Sequence, residues 1–249
     1  MRVFSVHRVI DSGAMSPRKK VHTEASRHFR VPCNDTCSIN FCAIRPASIS
    51  YIKPIKKIES ALKKLGVNAI LLYDGSEKNL ILAKKMQVCF AKLKEKNITI
   101  PKMTVDFVNW RNVFVSKDSA AVTDISWEHN KPIIEVFFKP KSYTQQSAAG
   151  DLFRIKEMPQ NSTFESDFFH EFAHAHQGFL CGEKKFNQLR NEKFDQKIND
   201  KIAREINSYA TQSKTEFVAE YFCYKMTGKE IKSKMINELY KQCNGPEIC

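Results

Sequence analysis

The chain has 249 residues, 42% of them apolar with 18 Phe, enough to bury a full core without staples, and this excludes a wholly disordered polypeptide. Its 40 Lys and Arg against 27 Asp and Glu give a net charge of +13, and the eight glycines leave little material for Gly-rich phosphate loops. No run approaches the ~18 consecutive apolar residues of a membrane helix, so no membrane span is expected.

In chain order, residues 1–50 mix Ser, Pro, Arg and Cys with no sustained period of 2 or 3.6, and Ser16-Pro17-Arg18-Lys19-Lys20 is a solvated charge block. A basic, disordered tail is expected there, with one globular domain over 51–249. Val3 to Ile10 is interrupted by His7 and Arg8, so no secretory signal forms. That points to the cytoplasm, or to secretion or injection by a signal-peptide-independent route. Ile55, Ile58, Ala61, Leu62 and Leu65 recur at helical spacing with Gly66 as a stop. Val67 to Tyr73 reads as a strand closed by Asp74-Gly75, and a helix from a Ser76 cap to Lys96 follows. Thr104–Val108, Asn112–Val115, Ala120–Ile125 and Ile133–Phe138 are short β-branched and aromatic segments; Pro132 and Pro140 bracket the last, which marks an edge strand. Residues 139–162 are polar and irregular. Helices are expected over 163–180, 184–206, 214–227 and 229–242, with Ile198, Ile202 and Ile206 on one stripe and Ile231, Met235 and Leu239 on another. The fold class is α+β: a small mixed sheet with an edge strand packed on a central helix, then a helical C-terminal half.

The basic residues are scattered through amphipathic patterns such as Lys56-Lys57 and Lys84-Lys85, where they read as solvated helix faces. No aromatic-interleaved basic motif occurs, and no nucleic-acid partner is expected. None of the eight cysteines forms a C-x-x-C, so no structural zinc knuckle or redox pair is present; Cys89 and Cys223 fall in helical apolar patterns and read as small buried side chains.

The chemistry-bearing residues are His170-Glu171-Phe172-Ala173-His174. A helix puts residues i and i+4 on one face, so the two imidazoles can converge on a single ion, while Glu171 projects beside it. Zinc takes nitrogen ligands in a tetrahedral array, and a water in an open fourth position has its pKa lowered by the ion to about 7, where a neighbouring carboxylate can take the proton. Ser162-Thr163-Phe164-Glu165 has the S-x-x-E form of a capping box that starts a helix here, and Phe164, Phe168, Phe172 and Phe179 give it apolar surface to bury. The metzincin extension is excluded, because Gln177 and Leu180 stand where Gly and His are required. His176 points away from the pair and is expected to be exposed or near the cleft. The third ligand is sought on a later helix, where Glu216 and Glu220 are i, i+4 between Phe217, Val218, Tyr221 and Phe222. Carboxylates amid aromatics are costly unless paired or metal-bound, so one can bind the ion while the other takes the outer N–H of a ligating histidine. Ser213-x-x-Glu216 is also a capping-box pattern, which would employ Glu216 at the helix start and leave Glu220 as ligand; spacing leaves the choice open.

H-E-F-x-H followed some forty residues later by Ser208-Tyr209 and then Glu216-Phe217-x-Ala219-Glu220-x-Phe222 resembles the catalytic domain of anthrax lethal factor-like zinc metallopeptidases, a gluzincin group with a zincin-like fold. The resemblance covers about residues 163–228. It implies one zinc ion held by His170, His174 and Glu216, Glu171 as general base, Tyr209 as the hydroxyl stabilising the tetrahedral intermediate, and Glu220 as an outer carboxylate. It further implies an endopeptidase, a toxin or effector whose substrate is a host protein or peptide; a monomer is expected. In zinc peptidases of this architecture the edge strand, here Ile133–Phe138, can pair with an extended substrate. The alternative is a basic binding protein with a non-catalytic metal site that docks on an acidic partner.

Overall fold

The computed structural model describes residues 2–4, 51–109, 119–144 and 163–248; the expected strand Asn112–Val115 and all of the expected tail except Arg2–Phe4 lie outside them. The described elements are β1 (Arg2–Phe4), α1 (Ile52–Lys64), β2 (Ala69–Leu72), α2 (Glu77–Glu95), β3 (Met103–Asp106), β4 (Ala121–Glu128), β5 (Lys131–Phe138), α3 (Lys141–Thr144), α4 (Phe164–Asn191), α5 (Gln196–Glu205), a 3-10 turn (Tyr209–Thr211), α6 (Lys214–Met226) and α7 (Lys234–Gln242). This is an α+β fold with a mixed sheet and a helical C-terminal half. No described helix is long and apolar enough to cross a membrane.

Local signals account for most of the boundaries. α1 buries Ile55, Ile58 and Leu62 and ends on Lys63 and Lys64, which complement the helix dipole. Ser76 caps α2 by accepting from the Asn79 amide. β4 and β5 are joined by His129-Asn130, both at positive φ (50° and 62°), the backbone of a two-residue hairpin turn that matches the right-handed twist of its strands. That hairpin pairs Glu128 with Lys131 and fixes the register back to Ala121 opposite Phe138.

The sheet order is β1-β4-β5-β3-β2, with β4 antiparallel to both neighbours and β2, β3 and β5 parallel. β5 is therefore an interior strand, not the edge that its flanking prolines suggested. Its ladder to β3 covers only Glu135 to Phe137, so Pro132 sits where β5 runs past β3 and no amide is needed on that side. With β4 and β3 on its two sides, the core of β5 offers no free backbone to an added peptide strand.

The inner sheet face packs on α4, and the contact is close at Gly178, where a Cβ would lie 2.6 Å from Ile125 Cδ1. Beneath it is an aromatic cluster in which the fully buried Phe138 touches Phe107, Tyr143, Phe164 and Phe168. Phe138→Ala is expected to lower unfolding free energy by about 3–5 kcal/mol, from lost transfer energy plus a cavity these rings cannot close. Urea denaturation reads this directly, and a loss under about 1 kcal/mol would show that the cluster is not packed this way.

In the helical half, α4 begins one residue later than the expected capping box. Thr163 accepts from the Ser166 amide and Ser166 Oγ accepts from the Thr163 amide, while Glu165 pairs with Lys92. Gly182 (φ 68°, ψ 171°) bends α4, so that 184–191 continue it in a new direction. That bend falls in the expected gap between 180 and 184, but the expected helix 184–206 is itself divided at 192–195, and α5 starts afresh from Asp195, whose side chain accepts from the Ile198 amide. Phe179, expected on the buried face, is 42% exposed. α7 buries Ile236 and Tyr240, with Met235 and Leu239 only packed at the margin, so its inner face is turned by one residue from the expected stripe.

Candidate metal centre

α4 and α6 lie against each other and carry all the carboxylates and imidazoles of the centre. His170 and His174 stand one turn apart with ring centroids 4.8 Å apart and planes at 78°, and their Nε2 atoms are separated by 3.2 Å. On α6, Ser213 caps the helix by accepting from the backbone amide of Glu216 at 3.1 Å. Ser213 Oγ engages the Glu216 amide and the Thr215 hydroxyl, not the Glu216 carboxylate, which turns to α4. Its Oε2 lies 3.3 Å from His170 Nε2 and 3.5 Å from His174 Nε2. Glu220, one turn on, reaches the back of the same imidazole, with Oε1 2.9 Å from His170 Nδ1. The structure thus separates the two carboxylates that spacing left equivalent.

His170, His174 and Glu216 form a buried group that could hold a metal ion, their donor atoms all within 4.8 Å of one another. Two features fit an ion. Among the described residues, buried Glu216 Oε2 makes no regular hydrogen bond and has only the two imidazole nitrogens at 3.3 and 3.5 Å beside it, a costly state for a carboxylate oxygen unless something else satisfies it. The three separations also match the edge of a tetrahedron, ~3.3–3.4 Å for metal–ligand bonds of ~2.0–2.1 Å. Without an ion the group holds itself together by charge. Burial depresses the His170 pKa, yet the contacts with Glu216 and Glu220 outweigh it and hold His170 well above the ordinary imidazole value. Burial likewise raises Glu216, yet the charge of His174 and the nearness of both rings hold its carboxyl well below the usual range.

Glu171 is buried under β4, and its Oε2 accepts from Thr123 Oγ1 at 2.7 Å; the same hydroxyl lies 3.0 Å from the Glu171 carbonyl oxygen. Thr123 thus pins the motif helix to the sheet at its acidic residue. Tyr209 sits in the 3-10 turn with its ring centroid 5.9 Å from that of His170. His176, expected to be exposed or near the cleft, is buried against Phe172, and burial pushes its pKa down to about 4. It is a neutral core residue, because the side of α4 turned from the metal group is itself covered.

Three residues near the centre carry no sequence signal. Thr123 is one. Asn207 is another, with Nδ2 donating to Glu220 Oε2 at 2.6 Å. The third is Arg190, beyond the bend at Gly182; burial lowers its pKa while the charges of Glu216 and Asp124 act against that, so it lies within charge range of the centre. Each is brought in from another element, and no spacing rule within one helix could find it. No family model, curated protein or solved structure matches the chain.

Proposed function

We propose that the chain is a zinc-dependent endopeptidase. The observation that carries the reading is the convergence of His170 Nε2, His174 Nε2 and Glu216 Oε2 at 3.2–3.5 Å, with Glu171 next to the first histidine on the same helix. Two nitrogens and one carboxylate suit zinc, and the separations favour tetrahedral over octahedral placement, for which adjacent ligands of ~2.0–2.1 Å bonds would lie ~2.8–3.0 Å apart. Among the described residues three candidate ligands gather, the number a catalytic zinc site takes from its protein, and this supports an enzyme. The resemblance of the two sequence blocks to lethal factor-like metallopeptidases supports a peptide bond as the target, and a host protein as its source.

Zinc bound there supplies Lewis acidity and brings the pKa of its water toward neutrality. The chain's own groups do the rest. Glu220 facing Nδ1 keeps the His170 proton on that nitrogen, leaving the Nε2 lone pair for the ion. Thr123 holds Glu171 Oε2, so Oε1 takes the proton from the attacking water and later gives it to the leaving amine. The Tyr209 phenol donates to the carbonyl oxygen as charge builds on it.

Metal analysis and digestion of a peptide library test this together. One zinc per chain is expected, with internal cleavage that stops on adding a chelator and returns with zinc. Cleavage indifferent to chelation, or a zinc-loaded chain that cuts nothing in the library, would overturn the assignment.

A further inference from the structure

Asn207 lies between α5 and the 3-10 turn, and its side-chain amide makes two hydrogen bonds of opposite sense. Oδ1 accepts from the backbone amide of Ala210 at 2.9 Å, and Nδ2 donates to Glu220 Oε2 at 2.6 Å. Only one amide orientation satisfies both, since the flipped one sets oxygen against carboxylate and NH2 against N–H. The other Glu220 oxygen faces His170 Nδ1 at 2.9 Å. A continuous chain therefore runs from the turn that carries Tyr209, through Asn207 and Glu220, to the imidazole whose Nε2 looks at Glu216.

We propose that Asn207 is a positioning residue that sets two parts of the centre at once. By fixing both oxygens of Glu220 it orients the His170 ring, and by holding the Ala210 amide it anchors the turn next to Tyr209. The task needs a donor and an acceptor on one short side chain. Asp offers only acceptors, and Ser would have to place one hydroxyl at both partners. The inference rests on reading the cluster as a metal centre, and it concerns how that centre is held rather than which bond is cut.

The test is a double-mutant cycle read by zinc affinity, using competition with a chromophoric chelator, for wild type, Asn207→Asp, Glu220→Gln and the double variant. Asn207→Asp keeps the acceptor for the Ala210 amide but turns a carboxylate on Glu220, and is expected to weaken zinc binding about 10–100-fold, the range typical of groups that orient a ligand. Glu220→Gln alone must set its new NH2 against either Asn207 Nδ2 or His170 Nδ1, and is expected to lose a similar amount. Combined, the two changes restore the bond with reversed polarity: the introduced amide donates to the introduced carboxylate and still offers oxygen to His170. The double variant should therefore bind zinc at least about tenfold more tightly than either single one. If Asn207→Asp does not fold, Asn207→Ser keeps an acceptor without the charge and is expected to lose about tenfold in the same assay. Wild type that binds zinc while Asn207→Asp (or Asn207→Ser in its place) binds it equally well overturns this inference alone, as does a double variant whose loss is the product of the two single losses. Wild type that binds no zinc overturns the metal reading and this inference with it.

Discussion

Glu171→Gln is expected to keep one zinc per chain and to lose about 10²–10⁴-fold in peptide cleavage, the range a positioned general base contributes. The substitution is nearly isosteric, which matters because the side chain is buried under β4. An amide oxygen can still accept from Thr123 Oγ1, so the bond that pins α4 to the sheet survives. None of the three candidate metal ligands is touched, and the helix register that brings His170 and His174 together is unchanged. What disappears is the capacity to take a proton. Single-turnover cleavage with zinc content measured on the same sample separates these effects. Cleavage at the wild-type rate would remove Glu171 from the mechanism, whereas a parallel loss of zinc would show that its charge helps hold the ion.

The sequence disclosed the centre only as far as one helix at a time allows. The i, i+4 rule places His170 over His174 and Glu216 over Glu220 from the chain alone, because those relations are local to α4 and α6. It cannot say which carboxylate meets which ring nitrogen, since that depends on how the two helices are rotated against each other. The Ser213 pattern points toward Glu220, whereas in the structure the cap uses the backbone of Glu216 and its side chain faces the histidines. A similar limit explains His176 and Phe179. Helical geometry correctly aims His176 away from the metal group, but on a helix covered on several sides, away from the site does not mean toward water. Phe179, whose hydrophobicity predicts burial, precedes the bend at Gly182 and stays partly outside. The prolines around β5 suggest an edge strand, but they stand near the two ends of an interior one. Thr123 and Asn207 reach the centre from β4 and from the segment after α5, through contacts 48 and 13 residues apart in sequence that no local pattern encodes.

Glu216→Ala tests the assignment that spacing left open. The wild-type chain should gain thermal stability from zinc, because an ion that binds only the folded state at ~100 times its Kd adds ~2.7 kcal/mol. For a chain of this size that is roughly 5–10 °C in melting temperature. In Glu216→Ala the two Nε2 atoms remain but the oxygen that closes the group is gone, and two imidazoles on one helix turn are a weak site for a hard-to-desolvate divalent ion. The zinc-dependent rise in melting temperature should vanish, and zinc should wash out on desalting. Glu220→Ala supplies the contrast. It leaves all three candidate ligands in place and removes only the group behind His170, so binding should weaken by about 10–100-fold yet be recovered at higher zinc. The order of the two losses is the decisive quantity. If Glu220→Ala abolishes binding while Glu216→Ala merely weakens it, then Glu220 is the ligand, the His170 ring must turn over to present Nδ1 to the ion, and the roles of the two carboxylates exchange.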